Sequence, residues 1–343
     1  MQSSGIEYGP LKIRQVGIRV YVEDWPGRLG FYKYGFPVSG AADHYAHRMA
    51  NLLVGNPVTE ATLEVTGGFF EAEFTFDTVI AVTGANMEPK VNDDPILMWK
   101  SVRVRAGDVL KLSLSKDAGF RAYVAFAGGI DVPLFLGSKS TCVWGSYGGY
   151  KGRSLQAGDV LNIGKLNEKQ LDSLEGKYVK PKFIPNYEKT WEVAMVPGPT
   201  AAPDYVTEEG VEKVFSTVFN VDRNSDRSGY RLITPKDIFP KEWARKSGGV
   251  AGLHPSNIVD MGYTIPGGLN VTGDMIIILG PDGPCGGGYV ILGTVAYADV
   301  WKVFQAFPRR DFIRFRFATL DEAEELRRKQ EAMFNSKEEI IGG

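Results

Sequence analysis

Short runs with apolar residues at every second position, each broken within a few residues by Gly, Pro or Asp, recur along this chain. They read "LEVTGGFFEAEF" (63–74), "TVIAVTGAN" (78–86), "VRVRAGDVLKLSL" (102–114), "RAYVAFAGGI" (121–130) and "DVLNIG" (159–164). Side chains alternate across a strand with period two, so such a run has one face to bury and one to wet. Val, Phe and Tyr suit a pleated surface, and the Gly/Pro/Asp breaks mark turns. The chain is therefore predicted to be mainly β with a few helices. One pattern occurs twice, as "RAGDVLKL" (105–112) and "QAGDVLNI" (156–163), each a Gly-Asp turn entering a strand.

Four segments carry a helical signature instead. "DHYAHRMANLLVGN" (43–56) places Ala46, Met49, Ala50 and Leu53 on one face and stops at Gly55. "TEEGVEKVFSTVF" (207–219) opens on Thr207 and acids, which favour a helix N-terminus. "ADVWKVFQAF" (298–307) is a third, and "LDEAEELRRKQEAMF" (320–334) is a charge-laced helix with a wet surface. A Lys-rich stretch with two prolines interrupts the β pattern. The expected organisation is a β-rich half at 1–165, a connector at 166–189, a second β-rich half at 190–320 and a charged helical tail at 321–343.

Charge narrows the function classes. Among 343 residues, 39 basic side chains face 41 acidic ones, a net charge of −2. That balance offers no electrostatic footprint for nucleic acid or an anionic membrane. No run approaches 18 unbroken apolar residues, and the first ten residues lack a secretory h-region. A cytoplasmic protein with two free thiols, Cys142 and Cys285, is expected.

The chemistry candidates are few. His44 and His47 stand at helical i, i+3 spacing, but no third ligand accompanies them. The reading is a solvent-facing helix flank and no metal. There is no G-x-S-x-G elbow and no P-loop. "NSDRSGYRL" (224–232) is the densest polar cluster: in an extended strand 227, 229 and 231 share a face, so Arg227 and Arg231 would form a clamp for a carboxylate-like anion. A structural Arg–Asp pair in a turn is the equally plain alternative. "GPDGPCGGGY" (280–289) sets Cys285 in a Gly-rich loop whose backbone can approach a ligand. His254, in "GLHPSN", sits before a proline in an extended or turn segment.

Specific motifs then carry a resemblance over about residues 10–320. "FPVSGAADHYAHRMANLLVGNP", "AYVAFAGGIDVP", "LGSKST", "GGYKGRSLQAGD", "NSDRSGYRL" and "NVTGDMIIILGPDGPCGGGYV" resemble the KipA-type, allophanate hydrolase subunit 2-like, biotin-dependent carboxyltransferase family. That family includes the C subunit of prokaryotic 5-oxoprolinase and half of the carboxyltransferase domain of urea carboxylase. The second half of this chain resembles the urea carboxylase branch.

The resemblance implies two cyclophilin-like β-barrel subdomains. It implies transfer of a carboxyl group from carboxybiotin to the nitrogen of urea or a urea-like amide, in a chain inactive alone. The implied partners are a KipI-like (subunit 1-like) protein, a biotin carboxylase that uses ATP and bicarbonate, and a biotin carrier; no cofactor is attached covalently here. On this reading Asn224 and Arg227 bind substrate or biotin and Asp282 orients substrate N–H groups. Arg231, His254, Asn257, Gly283, Cys285, Gly287 and Gly288 form the substrate pocket. The alternatives are a component like the C subunit of 5-oxoprolinase and a non-enzymatic KipA-like regulator. Relatives of the urea branch tend to read "GPDGPSLGGF" where this chain has "GPDGPCGGGY", so substrate choice is expected to differ at Cys285 and Gly286.

Overall fold

The structure, a computed structural model, describes residues 7–198, 200–202, 206–235, 265–272, 275–287 and 289–343. The chain is mainly β, and its residues divide into two compact units. The first holds 1–29, 38–187 and 333–343, the second 30–37 and 188–332.

In the first unit two sheets enclose one core. One runs Ile130–Asp131, Val160–Gly164, Tyr8–Gln15, Phe70–Phe74, Val109–Leu112, Lys90–Val91, Asp94–Pro95; the other runs Arg19–Glu23, Thr62–Thr66, Arg121–Phe126, Thr78–Gly84, Ser101–Val104. Alternate residues of the first sheet point inward: Leu11, Ile13, Phe70, Ala72, Phe74, Leu161 and Ile163 meet Val20, Val22, Leu63, Val65, Ile80, Val82 and Val124 of the second. The repeated sequence pattern becomes a repeated turn. Gly107 and Gly158 both have φ +92°, outside the range an L side chain adopts without strain. Asp108 Oδ2 accepts from Arg105 N at 2.7 Å, and Asp159 Oδ2 from Gln156 N at 2.7 Å. Each turn then docks a neighbouring strand, Gly107 N on Phe74 O and Gly158 N on Ile13 O, both at 2.8 Å.

Helix His44–Leu53 starts at Asp43, whose side chain accepts from Ala46 N at 2.8 Å. All ten of its residues are buried, which overturns the solvent-facing flank expected for His44 and His47. The reason is tertiary. Thr83 Oγ1 donates to Ala46 O at 2.7 Å, the Tyr45 hydroxyl donates to Phe183 O at 2.7 Å, and the Arg48 guanidinium lies 3.6 Å from the Phe334 ring centroid. His47 pairs through Nδ1 with Thr62 Oγ1 at 2.8 Å and through Nε2 with Asn51 Nδ2 at 3.4 Å. Beneath the helix, Glu64 Oε2 accepts from Ala42 N (2.9 Å) and the Tyr123 hydroxyl (2.7 Å), and Oε1 faces Arg121 Nε at 3.3 Å.

The second unit is a closed barrel. Its strands follow the order Thr190–Pro197, Val290–Val295, Gly268–Thr272, Met275–Leu279, Gly229–Ile233, Val218–Val221, Phe312–Phe317, and the last pairs back on the first. Phe219, Val221, Tyr230, Leu232, Ile276, Ile278, Ile313 and Phe315 fill it. The remaining expected helices form as Glu208–Ser216, Tyr297–Gln305 and Leu320–Asn335. Thr207 caps the first of these by accepting from Gly210 N.

Burial holds the His47 pKa down at about 3, so the folded chain keeps this ring neutral. An unfolded histidine titrates near 6.5, above the folded value. The stabilisation is therefore complete above about pH 6.5 and is lost as the pH falls from there toward 3, by about 1.4 kcal/mol per unit. Urea melts at pH 7 and pH 5 are expected to show a stability loss about 2 kcal/mol larger in the native chain than in His47→Gln. Equal losses in the two proteins would remove His47 as the cause.

Candidate functional site

Strands Val218–Val221 and Gly229–Ile233 are antiparallel, and the loop between them is stapled by its own polar groups. Asp222 Oδ1 accepts from Asn224 N at 2.9 Å, and Asp226 Oδ1 from Ser228 N at 2.8 Å and Ser228 Oγ at 2.5 Å. Short acidic side chains that bond the backbone two residues on are the ordinary device of such turns. Arg231 Nη1 closes the loop by donating to Asn224 O at 2.6 Å.

Strand Gly229–Ile233 also pairs with Met275–Leu279, in a register that sets Gly229 opposite Leu279. The 280–283 turn therefore emerges against residues 227 and 228. Gly280 N donates to Ser228 O (3.0 Å), Asp282 N to Arg227 O (3.1 Å) and Gly283 N to Gly280 O (2.9 Å). A Cβ on Gly280 would strike Arg227 O, so the close approach needs glycine there. Across this contact Arg227 Nε donates to Asp282 Oδ2 at 2.7 Å, and Nη2 lies 3.4 Å from Oδ1. Each residue is 5% exposed, so the two charges neutralise each other out of water.

The structure thus joins Asn224, Arg227, Arg231, Asp282 and Gly283 in one place. It does not build the expected double-arginine face. The strand begins at Gly229, so Arg227 lies in the turn and outside the period-two alternation. Arg227 turns to Asp282 and Arg231 to the Asn224 carbonyl. The N–H groups of Asp282 and Gly283 are committed to the turn, whereas Gly286 and Gly287 are exposed, and a Cβ on Gly286 would meet nothing within 4 Å. Cys285 is half-buried, its Sγ 4.0 Å from Gly283 O. His254, Asn257 and Gly288 lie outside the described residues. Tyr32 is a contact that sequence reading missed: its hydroxyl donates to Pro284 O at 2.8 Å from 252 positions away, and no local signal announces it. Among the described residues no group of three His, Cys, Asp or Glu is placed to hold a metal ion, and no helix is long and apolar enough to cross a membrane.

A mainly β chain with a closed barrel and a polar loop pair at its strand ends defines a class only with its relatives beside it. Residues 34–317 match the carboxyltransferase domain, subdomain A and B, and the chain belongs to that family. It is homologous both to urea amidolyases and to the C subunit of 5-oxoprolinase. The urea amidolyase of Lachancea kluyveri is 40% identical over 344 residues, covering 97% of this chain and 18% of its own length. The 5-oxoprolinase C subunit of Escherichia coli is 32% identical over 328 residues, covering 94% of this chain and 96% of its own. The crystal structure of the Kluyveromyces lactis urea amidolyase superposes with a TM-score of 0.87 at 37% identity, over 96% of this chain and 20% of that one. The chain spans about a fifth of the length of the urea amidolyases it matches.

Breaking the Arg227–Asp282 pair from one side leaves a buried uncompensated charge, which costs about 3–5 kcal/mol. Arg227→Met and Asp282→Leu are each expected to lower the unfolding free energy by about that amount, and the double variant by less than either. A double-mutant cycle in urea checks this; strictly additive losses would show that the two side chains do not act as a pair.

Proposed function

We propose that the chain is a carboxyltransferase component that moves a carboxyl group to the nitrogen of urea or a urea-like amide. The observation that carries this reading is the correspondence of 97% of the chain with a urea amidolyase at 40% identity. Biotin, borne by a carrier on another chain, supplies the carboxyl group in transferable form. A cytoplasmic biotin carboxylase spending ATP and bicarbonate loads it, and a KipI-like chain completes the carboxyltransferase.

The residues present suit a urea or ureido group, which needs both donors and acceptors of hydrogen bonds. Asn224 is exposed at the tip of its loop, and its carboxamide offers both. The exposed N–H groups of Gly286 and Gly287 are donors for an oxygen that gains negative charge; one such donor contributes roughly 3 kcal/mol to acyl-type chemistry. Arg227 and Asp282 are positioning residues on this view, because the two side chains are buried and paired across the loops. They clamp the two loops in register. Arg231 holds the Asn224 backbone, and Gly283 and Cys285 belong to the same substrate pocket; His254, Asn257 and Gly288 are further candidates for substrate contact. Cys285 and Gly286 set the substrate preference, since a leucine in place of Gly286 would fill the open space beside it.

A second reading, a component like the C subunit of 5-oxoprolinase, is favoured by the near end-to-end match with the Escherichia coli protein. One assay separates the two: ATP turnover by the chain reconstituted with its carboxylase, carrier and subunit 1-like partners, with urea, other amides or 5-oxoproline supplied in turn. Urea- or amide-dependent turnover is expected, with none from the chain alone, and Asn224→Ala lowering kcat/KM at least about tenfold. Response to 5-oxoproline alone would move the chain to the second reading. Cys285→Ser combined with Gly286→Leu is expected to raise the preference for urea over bulkier amides by about tenfold, the usual size of a small change in pocket volume. An unchanged ratio would acquit the loop of setting substrate choice.

A further inference from the structure

Two of the motifs, "LGSKST" (136–141) and "GGYKGRSLQAGD" (148–159), take no part in the site above. Both belong to the first unit: residues 148–152 of the second motif line a cleft of about 610 Å³ between segment 131–135, loop 146–152 and strand Val160–Gly164, and the first motif follows directly on the 131–135 wall. Ligand pockets commonly have this size. Pro133, Leu134, Phe135, Tyr147 and Val160 give it an apolar lining, and Leu134 is 66% exposed at its rim.

The cleft is built on a dry polar frame. Asp24 Oδ1 accepts from Ser138 Oγ at 2.8 Å and Ser140 Oγ at 2.5 Å, and Oδ2 from Lys139 N at 2.6 Å. Lys139 Nζ binds Glu60 Oε1 at 2.5 Å. That leaves Arg28. Its side chain is wholly buried, Nη2 donates to Ser140 O, and Nε and Nη1 have no hydrogen-bond partner among the described residues. No carboxylate among them lies within ion-pair distance of it. Its guanidinium stands 4.9 Å from the Tyr147 ring centroid and 5.8 Å from that of Phe135, two rings stacked at 4.6 Å. Such contacts offset only part of the cost of drying a charge.

The guanidinium abuts the cleft at Gly148. A Cβ there would collide with Nη2 and with Ser140 O, so the charge packs directly against the bare Gly148 backbone, beside the Phe135 and Tyr147 rings of the cleft wall. The loop continues through left-handed residues, φ +52° at Gly149, +57° at Lys151 and +65° at Gly152. The N–H groups of Gly149, Tyr150 and Lys151 find no acceptor among the described residues, although Gly149 is buried. Successive amides around left-handed residues form an anion-binding concavity. Lys151 adds a second cation at the exposed edge; Asp131 opposes it from the facing segment, and Arg153 is already paired with Asp159 at 2.7 Å.

We propose that this cleft is a binding site for a small carboxylate-bearing molecule. The carboxylate rests on the 149–151 amides in front of Arg28, and the apolar body lies along Pro133, Leu134 and Val160. The inference does not rest on the proposed function, and its site lies wholly in the other unit. The probes are benzoate, acetate and benzamide, titrated into the 15N-labelled full chain and followed by backbone amide shifts. Benzoate is expected to saturate with shifts centred on Gly149, Tyr150 and Lys151, acetate to bind at least about tenfold more weakly for want of a body, and benzamide not to saturate. Lys151→Gln is expected to weaken benzoate about three- to tenfold, and Arg28→Met to abolish its binding. Should Arg28→Met fail to fold, judged by circular dichroism, the benzoate–benzamide contrast and Lys151→Gln decide. Benzamide binding as tightly as benzoate, shifts centred elsewhere, or an unaffected Lys151→Gln would overturn the proposal.

Discussion

The barrel of the second unit closes through a single parallel pairing, Thr190–Pro197 against Phe312–Phe317, in register from Thr190–Phe312 to Met195–Phe317. Its other neighbours are antiparallel. A parallel pair cannot be made by a hairpin, so the chain between these strands must travel around the barrel before it can seal it. Closure leaves no free strand edge and lets alternate residues fill the interior. It also decides where the loops land. Because Gly229 stands opposite Leu279, the turn before one strand and the turn after the other are neighbours, and a slip of one residue would send every inward side chain outward. The geometry of the polar loop pair is thus a consequence of a register that the apolar core enforces.

Two buried arginines show how the same residue type serves different ends. Arg227 meets Asp282 with two nitrogens on two oxygens, and the pair ties the loops together. Among the described residues Arg28 has two aromatic rings and one carbonyl beside it, and its guanidinium packs against the bare Gly148 backbone. A neutralised pair holds a structure together, whereas a buried cation without a counter-charge leaves a demand that an arriving anion can meet. The difference lies in what stands opposite each guanidinium.

Much of the fold was legible in advance. Period-two runs became strands, the two Gly-Asp patterns became one turn built twice, and Thr207 became the helix cap its chemistry favours. The polar cluster at 224–232 and the Gly-rich loop at 280–289 stood out as candidates. Their adjacency did not, because some fifty residues separate them and only strand pairing brings them together. The expected arginine clamp failed on one residue, since alternation holds within a strand and Arg227 precedes it.

Helix His44–Leu53 marks the boundary between the two kinds of information. Its apolar positions and its cap are local facts, written in consecutive residues. That His44, His47, Arg48 and Asn51 are dry is not, because the groups that satisfy or cover them come from outside the helix: Thr62 and the carbonyl of Glu60 for His47 and Asn51, Trp25 and Phe334 for Arg48. Hydrophobic period and turn chemistry depend on near neighbours, so the sequence by itself determined the elements and their ends. Which polar groups are buried, paired or left facing a cavity depends on partners that only the packed chain supplies, so the tertiary structure alone decided the sites.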